Sequence, residues 1–473
     1  MNALDLLEIQ ITIKEAKASF IVIFTVYSYI VMLNLNYNSR RLKSGEDRMS
    51  VPKVYLKQNR KKRLEQGHPW VFPNEIERFE GEPQGGDLVH IVNHAGHFLA
   101  QGFYNPLSQL VIRVLSYSEE LVDQNYFYKK INDAWRHRSW LVPEASSCRV
   151  VHSEADFLPG LIVDKYEDLL VVQILSLGIE VRRQWVYDAL KKIFSPRGIY
   201  ERSDVAVRRL EGLEERKGFV DKPFDTNVTV RENGLSIMVD IAEGQKTGYF
   251  FDQRENRAAL KPLMTGWGAK HGIALTSDGY PSDAKGQKIK NPFWDGAEVL
   301  DCFSHTGSFM LHSCLFGAKK VTCVDISEKA IEMSRDNALL NGFLHRTEFV
   351  AANAFDYLRE QVKGQRKWDI VILDPPAFAK SRQALKSAIR GYKEINLQGM
   401  KLIRHGGILV TASCSHHLSA QQFKSVLQDA AMDAHKILRL VDFRRAGNDH
   451  PVLLGSEETD YLKFAIFEVF DFR

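Results

Sequence analysis

Glu298-Val-Leu-Asp-Cys-Phe-Ser-His-Thr-Gly-Ser-Phe309 is the stretch whose reading decides the fold. A short apolar run ends in Asp301, a polar turn containing Thr306 and Gly307 follows, and an apolar helical run continues to Phe316. This is the pattern of a strand, a tight loop and a helix. Doubly wound sheets bind ligands at such strand carboxyl ends, where the loops diverge. Gly307 permits close approach of a ligand to the backbone, and the helix start can face a polar or anionic group. The loop has neither GxGxxG nor Gly-Lys-Ser/Thr, which argues against nicotinamide and nucleoside-triphosphate ligands.

Two more strand tips fall in step. Lys320-Val-Thr-Cys-Val-Asp325 ends in an acid at the offset, roughly 20 residues, where a carboxylate takes ribose hydroxyls. Ile326 follows it, and Ser327 is placed to cap a helix over 328–340. Phe349-Val-Ala-Ala-Asn-Ala-Phe355 is a third strand and its tip, with Asn353 and Ala354 set to meet an adenine. Trp368-Asp-Ile-Val-Ile-Leu-Asp-Pro-Pro-Ala-Phe378 is a buried strand running into Asp374, and two prolines fix an extended turn there. Such a tip after an adenosine site is methyltransferase-like and suits a planar acceptor, with Phe378 available to stack on a flipped base. Gly407-Ile-Leu-Val-Thr-Ala-Ser-Cys-Ser-His-His417 is the next strand, and it ends in Cys414. A thiolate adding to carbon 6 of a pyrimidine makes carbon 5 nucleophilic. That chemistry needs a cysteine of lowered pKa beside Asp374, which would bind the base edge and assist proton transfer. The plain alternative for Cys414 is a packed strand end.

Outward from this core, strands alternate with helices beyond about residue 230, the signature of a mainly parallel sheet. Residues 265–295 interrupt it with a Gly-, Lys- and Asp-rich insertion. Upstream, residues 119–230 read as a connecting α+β domain: a helix from Tyr126 to Trp140, a hairpin of Gly160–Asp164 and Leu169–Ile174, and an amphipathic helix from Ile179 to Phe194. Residues 52–118 are short strands with turn signals, a β-rich module. It opens with Lys57, Arg60, Lys61, Lys62 and Arg63, then His68-Pro69-Trp70-Val71-Phe72. Basic residues beside aromatics suit RNA, the charges meeting phosphate and the rings stacking on unpaired bases.

The chain has 473 residues, too many for one core, so two or three domains are expected. Its net charge of only +4 places any nucleic-acid contact in local patches. The five cysteines are scattered without a CxxC pair, which argues against a zinc ribbon or a disulfide framework and for a reducing cytoplasm. No acid–histidine spacing accompanies His416 and His417, so no metal is expected. Phe20 to Leu35 is an uncharged apolar run of 16 residues, slightly short of the roughly 17–25 needed to span a membrane. It has no basic start or cleavage site, so residues 1–48 read as an extension of unknown role rather than an anchor.

Together these motifs resemble the bacterial ribosomal RNA large-subunit methyltransferase I family of the 5-methylcytosine type, from about Val54 to Phe472. The resemblance is carried by His68–Phe72, Leu158-Pro-Gly-Leu-Ile-Val-Asp164, Gly244–Arg254, Asp301–Phe309, Asp374–Phe378, Arg390–Asn396, Ser413-Cys414-Ser415, Asp449-His450-Pro451 and Tyr461–Phe464. It implies a PUA-like RNA-binding domain, a central α+β domain and a Rossmann-like class I methyltransferase domain using S-adenosylmethionine. It places Asp301, Phe303, Ser304, Thr306, Gly307, Asp325, Ile326, Asn353, Ala354 and Asp374 around the cofactor, with Lys246, Thr247, Phe250, Asp252 and Gln253 along the same cleft. Cys414 and Asp374 would be catalytic, and Lys57, Arg60, Lys61, Arg63, His68, Trp70, Arg254 and Phe378 would meet RNA; Arg257 also reads as phosphate-facing. The chain departs from the family pattern at Asn353, where an acid often stands, and at Ala412, which replaces a common cysteine. The partner implied is large-subunit ribosomal RNA, and a homodimer is left open. The rival readings are a guanine or other nitrogen methyltransferase without covalent catalysis, and a non-catalytic RNA-binding assembly factor.

Overall fold

Three large sheets and a separate two-stranded hairpin are laid out along the chain in the computed structural model, which describes residues 51–142, 146–271, 281–282, 285–288, 295–379 and 383–472. Residues 1–48 lie outside the described residues, as does most of the 265–295 insertion. No helix among the described residues is long and apolar enough to cross a membrane.

The first sheet is built from β1 (Lys53–Leu56), β2 (Trp70–Val71), β3 (Ile76–Glu80), β4 (Leu88–Val92), β5 (Phe98–Tyr104) and β6 (Ile112–Ser116), in the order β2-β6-β5-β4-β1-β3. Alternation along these short strands sends Val54, Leu56, Val89, Ile91, Ile112 and Val114 inward to one small core. Next comes α1 (Gln124–Leu141), begun by Asp123, whose carboxylate accepts from the Tyr126 amide at 2.9 Å. It packs on a second sheet of β7 (Cys148–His152), β8 (Leu161–Tyr166), β9 (Leu169–Ile174), β10 (Gly198–Ser203) and β11 (Arg216–Phe219). The β8–β9 hairpin is antiparallel around Glu167, which takes a left-handed turn at φ 54°. The helix expected over Ile179–Phe194 is two pieces, Leu177–Glu180 and α2 (Arg183–Phe194). Arg182 breaks it because its guanidinium reaches the carbonyls of Gly86 and Gly178 and stacks over Phe103 at 4.2 Å, tying this domain to the first sheet.

The third sheet positions the site. The hairpin of β12 (Asn227–Glu232) and β13 (Leu235–Asp240) precedes it. Then follow β14 (Glu298–Cys302), α3 (Ser308–Leu315), β15 (Lys320–Asp325), α4 (Glu328–Leu340), β16 (Thr347–Ala351), α5 (Ala354–Lys363), β17 (Trp368–Leu373), α6 (Leu385–Leu402), β18 (Ile403–Ser413), α7 (Ala420–Asp433), β19 (Lys436–Arg444) and β20 (Lys463–Asp471). The order is β16-β15-β14-β17-β18-β20-β19, parallel throughout except for β20, which runs against both its neighbours. Central strands such as Trp368–Leu373 are apolar almost without interruption because helices cover both faces. The order reverses at β14, between β15 and β17, so the loops after these strands open a crevice on one edge.

The expected domain division at 230 falls inside β12. The whole hairpin belongs with the third sheet, because Val228, Val230, Leu235, Ile237 and Val239 share its core with Val299, Phe309 and Leu311. One buried ion pair fixes this placement. Arg257 donates to both oxygens of Glu232, at 2.6 and 2.8 Å, with both groups shut away from water. Removing one partner of such a pair leaves a buried uncompensated charge. Arg257→Met is therefore expected to cost about 3–5 kcal/mol of unfolding free energy, measured by urea titration against the parent protein.

Candidate active site

Strand carboxyl ends build a cavity of about 410 Å³ at the switch point, within the range of small-molecule sites, roughly 300–1,000 Å³. From β14 come Phe303, Ser304 and His305; from β15 Asp325 and Ile326; after β16 Asn353 and Ala354; from β17 Asp374 to Phe378; from β18 Cys414. Lys246, Phe250, Asp252 and Gln253 close it from the segment after β13. The loop after β14 is sharply wound, with Phe303 and His305 in left-handed conformations at φ 62° and 49°. Asp325 pins it, accepting from the His305 amide at 2.9 Å and from the Ser327 amide at 3.0 Å. Ser327 caps α4 as the sequence indicates, and the Asn353 side chain caps α5 by accepting from the Phe355 amide.

The charges here are unusual. Asp374 accepts from Gln253 Nε2 at 3.1 Å, yet burial and the neighbouring Asp252 carboxylate push it up to about 7. Burial also drives Asp301 well above its ordinary range, helped by repulsion from Asp374. Asp252 goes the other way: burial alone would raise it, but the Lys246 ammonium, His450 and the Tyr461 hydroxyl hold it low. The Tyr461 hydroxyl donates to Asp252 at 2.5 Å, and Lys246 Nζ lies 3.4 Å from the same oxygen. The Cys414 thiol was expected low. Burial instead pushes it up to about 11; Lys246 pulls it down, while Asp374 and Asp252 oppose ionisation. Its Sγ sits 4.0 Å from the Pro375 carbonyl.

Several expected site residues stand elsewhere. Asp301, Thr306 and Gly307 lie behind the wall rather than on it. Gly307 takes a left-handed backbone at φ 82°, which strains any other residue, and a Cβ there would also meet Ser334 at 3.1 Å. Thr247 is buried and donates to Asp164 at 2.5 Å, joining the loop to the central domain. Arg254 does not face phosphate: it is buried against Asp449 at 3.2 Å and the Ser147 carbonyl at 2.6 Å. Arg257 reaches the cavity wall, with its guanidinium held by Glu232. Trp70 is half-buried, and its indole donates to Glu154 of the central domain at 3.0 Å. Arg113 bridges Glu154 and Glu211 beside it, each at 2.9 Å. His68 is buried and accepts from the Trp70 amide. Arg60 is engaged by Glu65, and Arg63 lies over Phe72. Lys57 and Lys61 are exposed, with Lys57 donating to the Asn74 carbonyl. Phe378 lines the cavity, packed 4.6 Å from Tyr392. The reading of the sequence missed Ser308, Phe355 and Leu462 on the wall. Like His305 and Gln245, all three sit inside stretches quoted from the sequence, but nothing in those stretches marks them as wall residues.

The chain matches the model of a PUA-like domain over residues 54–117 and that of conserved hypothetical protein 95 over residues 287–427. It is 38% identical over 415 residues to ribosomal RNA large subunit methyltransferase I of Aeromonas salmonicida, covering 87% of this chain and 97% of that one. The Vibrio cholerae protein of the same name is also 38% identical, over 419 residues, with 87% and 98% covered. Among solved structures, a candidate methyltransferase complexed with SAH aligns with a TM-score of 0.71 at 19% identity, over 88% of this chain and 99% of that one. A candidate SAM-dependent methyltransferase from Streptococcus mutans aligns at 0.70 with the same identity and coverage. At that identity the likeness is one of fold.

The raised Asp374 carboxyl carries a stability signature. A carboxyl with its folded pKa above its unfolded value, about 3.8, holds a proton in the native state that the unfolded chain releases. Its favourable contribution is complete below the unfolded value and is lost as pH rises through about 7. Asp374→Asn has no such loss. Its thermal midpoint relative to the parent should therefore climb between pH 4 and 7 and level off above, while a flat difference would contradict the burial of this charge.

Proposed function

The chain belongs to the ribosomal RNA large subunit methyltransferase I family, and on that premise we propose that it methylates carbon 5 of a cytosine in large-subunit ribosomal RNA, using S-adenosylmethionine. The observation that carries the reading is the meeting of Cys414 and Asp374, from adjacent strands, on one largely apolar cavity.

The cofactor suits the residues present. Ser304 Oγ is buried without a partner among the described residues, Asp325 stands at the tip of the next strand, and Phe303 and Phe355 offer apolar faces. Asp325, with Ile326 beside it, would take the ribose hydroxyls, Asn353 and Ala354 the adenine, and Phe303 to His305 the amino-acid end. The group supplies an electrophilic methyl on a sulfonium. The chain's own residues do the rest. Asp374, at about 7, donates to or accepts from the ring edge and so orients the base. Phe378 gives the ring an aromatic neighbour. Cys414, as thiolate, forms a bond to carbon 6 and pushes electron density to carbon 5; after methylation the carbon 5 proton leaves and the sulfur is expelled. Exposed Lys57, Lys61 and Lys62 beside the first sheet would meet RNA phosphate.

One observation favours a second reading. The high resting thiol of Cys414 suits a structural cysteine and methyl transfer to a ring nitrogen. Cys414→Ser separates the two: C5-methylcytidine formation, read by nucleoside mass spectrometry on large-subunit RNA, should drop by at least about 10³-fold. Unchanged methylation, or a methylated purine as product, removes the covalent route.

A further inference from the structure

Lysines are almost never fully buried unless paired. Lys463 is 4% exposed, and no carboxylate stands within ion-pairing distance of it among the described residues. Its Nζ donates instead to the carbonyls of Ser415 and Tyr461, 2.7 Å each. The first carbonyl belongs to the residue after Cys414, and Lys463 itself pairs across the ladder with Ser413. The second belongs to the tyrosine whose hydroxyl holds Asp252, and Asp252 in turn holds Lys246. These bonds link the strand end bearing the thiol, through Lys463, Tyr461 and Asp252, to an ammonium on the same cavity wall. Lys246 is held there by more than the carboxylate. Its Nζ lies 4.7 Å from the centre of the Phe250 ring and 5.8 Å from that of Tyr461, and its backbone is left-handed at φ 54°. A non-glycine residue keeps that conformation only where its surroundings impose it.

The charged and titratable groups around Cys414 are few. The segment after β13 supplies Lys246 and Asp252, the end of β17 supplies Asp374, β20 and its approach supply Lys463 and Tyr461, and its own loop supplies His416. Both carboxylates oppose a negative sulfur, so an activating charge has to come from a lysine. Resting on the reading of Cys414 as nucleophile, we propose that Lys246 is the counter-cation of the Cys414 thiolate and that Lys463, acting through Tyr461 and Asp252, is the positioning residue that keeps it in place. On ionisation the S–H bond breaks, the proton passes to solvent, and the electron pair stays on sulfur beside the ammonium.

Alkylation of Cys414 by iodoacetamide, followed against pH by peptide mass spectrometry on the full chain, tests this directly. The other cysteines are buried, so the modified peptide identifies the site. Lys246→Met should move the inflection upward by about one pH unit, slowing alkylation about tenfold below it, and Lys246→Arg should recover most of the rate. Lys463→Met should shift the profile in the same direction. Tyr461→Phe breaks the link to Asp252 while leaving Lys463 and its carbonyl contacts in place, and should do so too. A wild-type profile in Lys246→Met overturns the inference, even where Cys414→Ser abolishes methyl transfer. Retained C5 methylation in Cys414→Ser overturns the underlying reading instead, whatever the alkylation profile.

Discussion

Three parallel strands carry carboxylates to one edge of the same sheet, and accommodating that repulsion is the constraint on which the site depends. Asp301, Asp325 and Asp374 end β14, β15 and β17, with β14 between the other two. Asp325 meets backbone amides and stays at the cavity mouth. Asp301 is buried and Asp374 half-buried, and like charges on adjacent strands in a medium of low dielectric do not both ionise. Burial favours the protonated form at both positions, and the Asp374 carboxylate adds to that at Asp301. A fourth carboxylate, Asp252, stays ionised only because Lys246 and Tyr461 face it.

That arrangement needs the segment after β13 to be immobile, and the rest of the chain supplies the restraint. Asp240 accepts from the amides of Ala242 and Glu243, winding the loop at its start. Asp164 of the central sheet binds Thr247 and, through both oxygens, Arg149. Asp449 binds Arg254 and the Arg149 amide, and Arg138 donates to the Asp449 carbonyl while it grips Asp156. Buried pairs like these add little net stability over apolar packing, but each mispairing leaves an unsatisfied charge, so they specify one arrangement. The central domain thus acts as a buttress for one wall of the cavity.

Much of the fold was legible because period and punctuation agree locally. Asp301, Asp325, Asp374 and Cys414 each terminate an apolar run before Gly, Ser or Pro, and all four strands form where the pattern places them. The site was legible to the extent that it is made of strand tips. What failed was the sorting of polar residues by direction. Arg254 and Arg257 follow a glycine-rich loop, as phosphate ligands do, but their partners Asp449 and Glu232 lie far away in sequence and carry no local mark. Trp70 reads as RNA-facing for the same reason. Only the fold brings Glu154 and Glu211 against it and Arg113 and turns a basic aromatic cluster into an interdomain latch. The division expected at about 230 rests on the change to strands alternating with helices beyond it, and strand β12 spans that point.

The raised thiol and the raised carboxyl have one physical origin, and that origin favours the substrate the cavity suits. Burial pushes both Cys414 and Asp374 toward their neutral forms. The cavity lining is largely apolar, and its Lys246 and Asp252 already face each other, so a flat ring can enter without separating that pair. On the proposed covalent route, a thiolate would face a fixed ammonium whose attraction strengthens where an entering ring displaces water. Lys246, half-exposed at rest, is the group on the cavity wall whose solvent shell an entering base would displace.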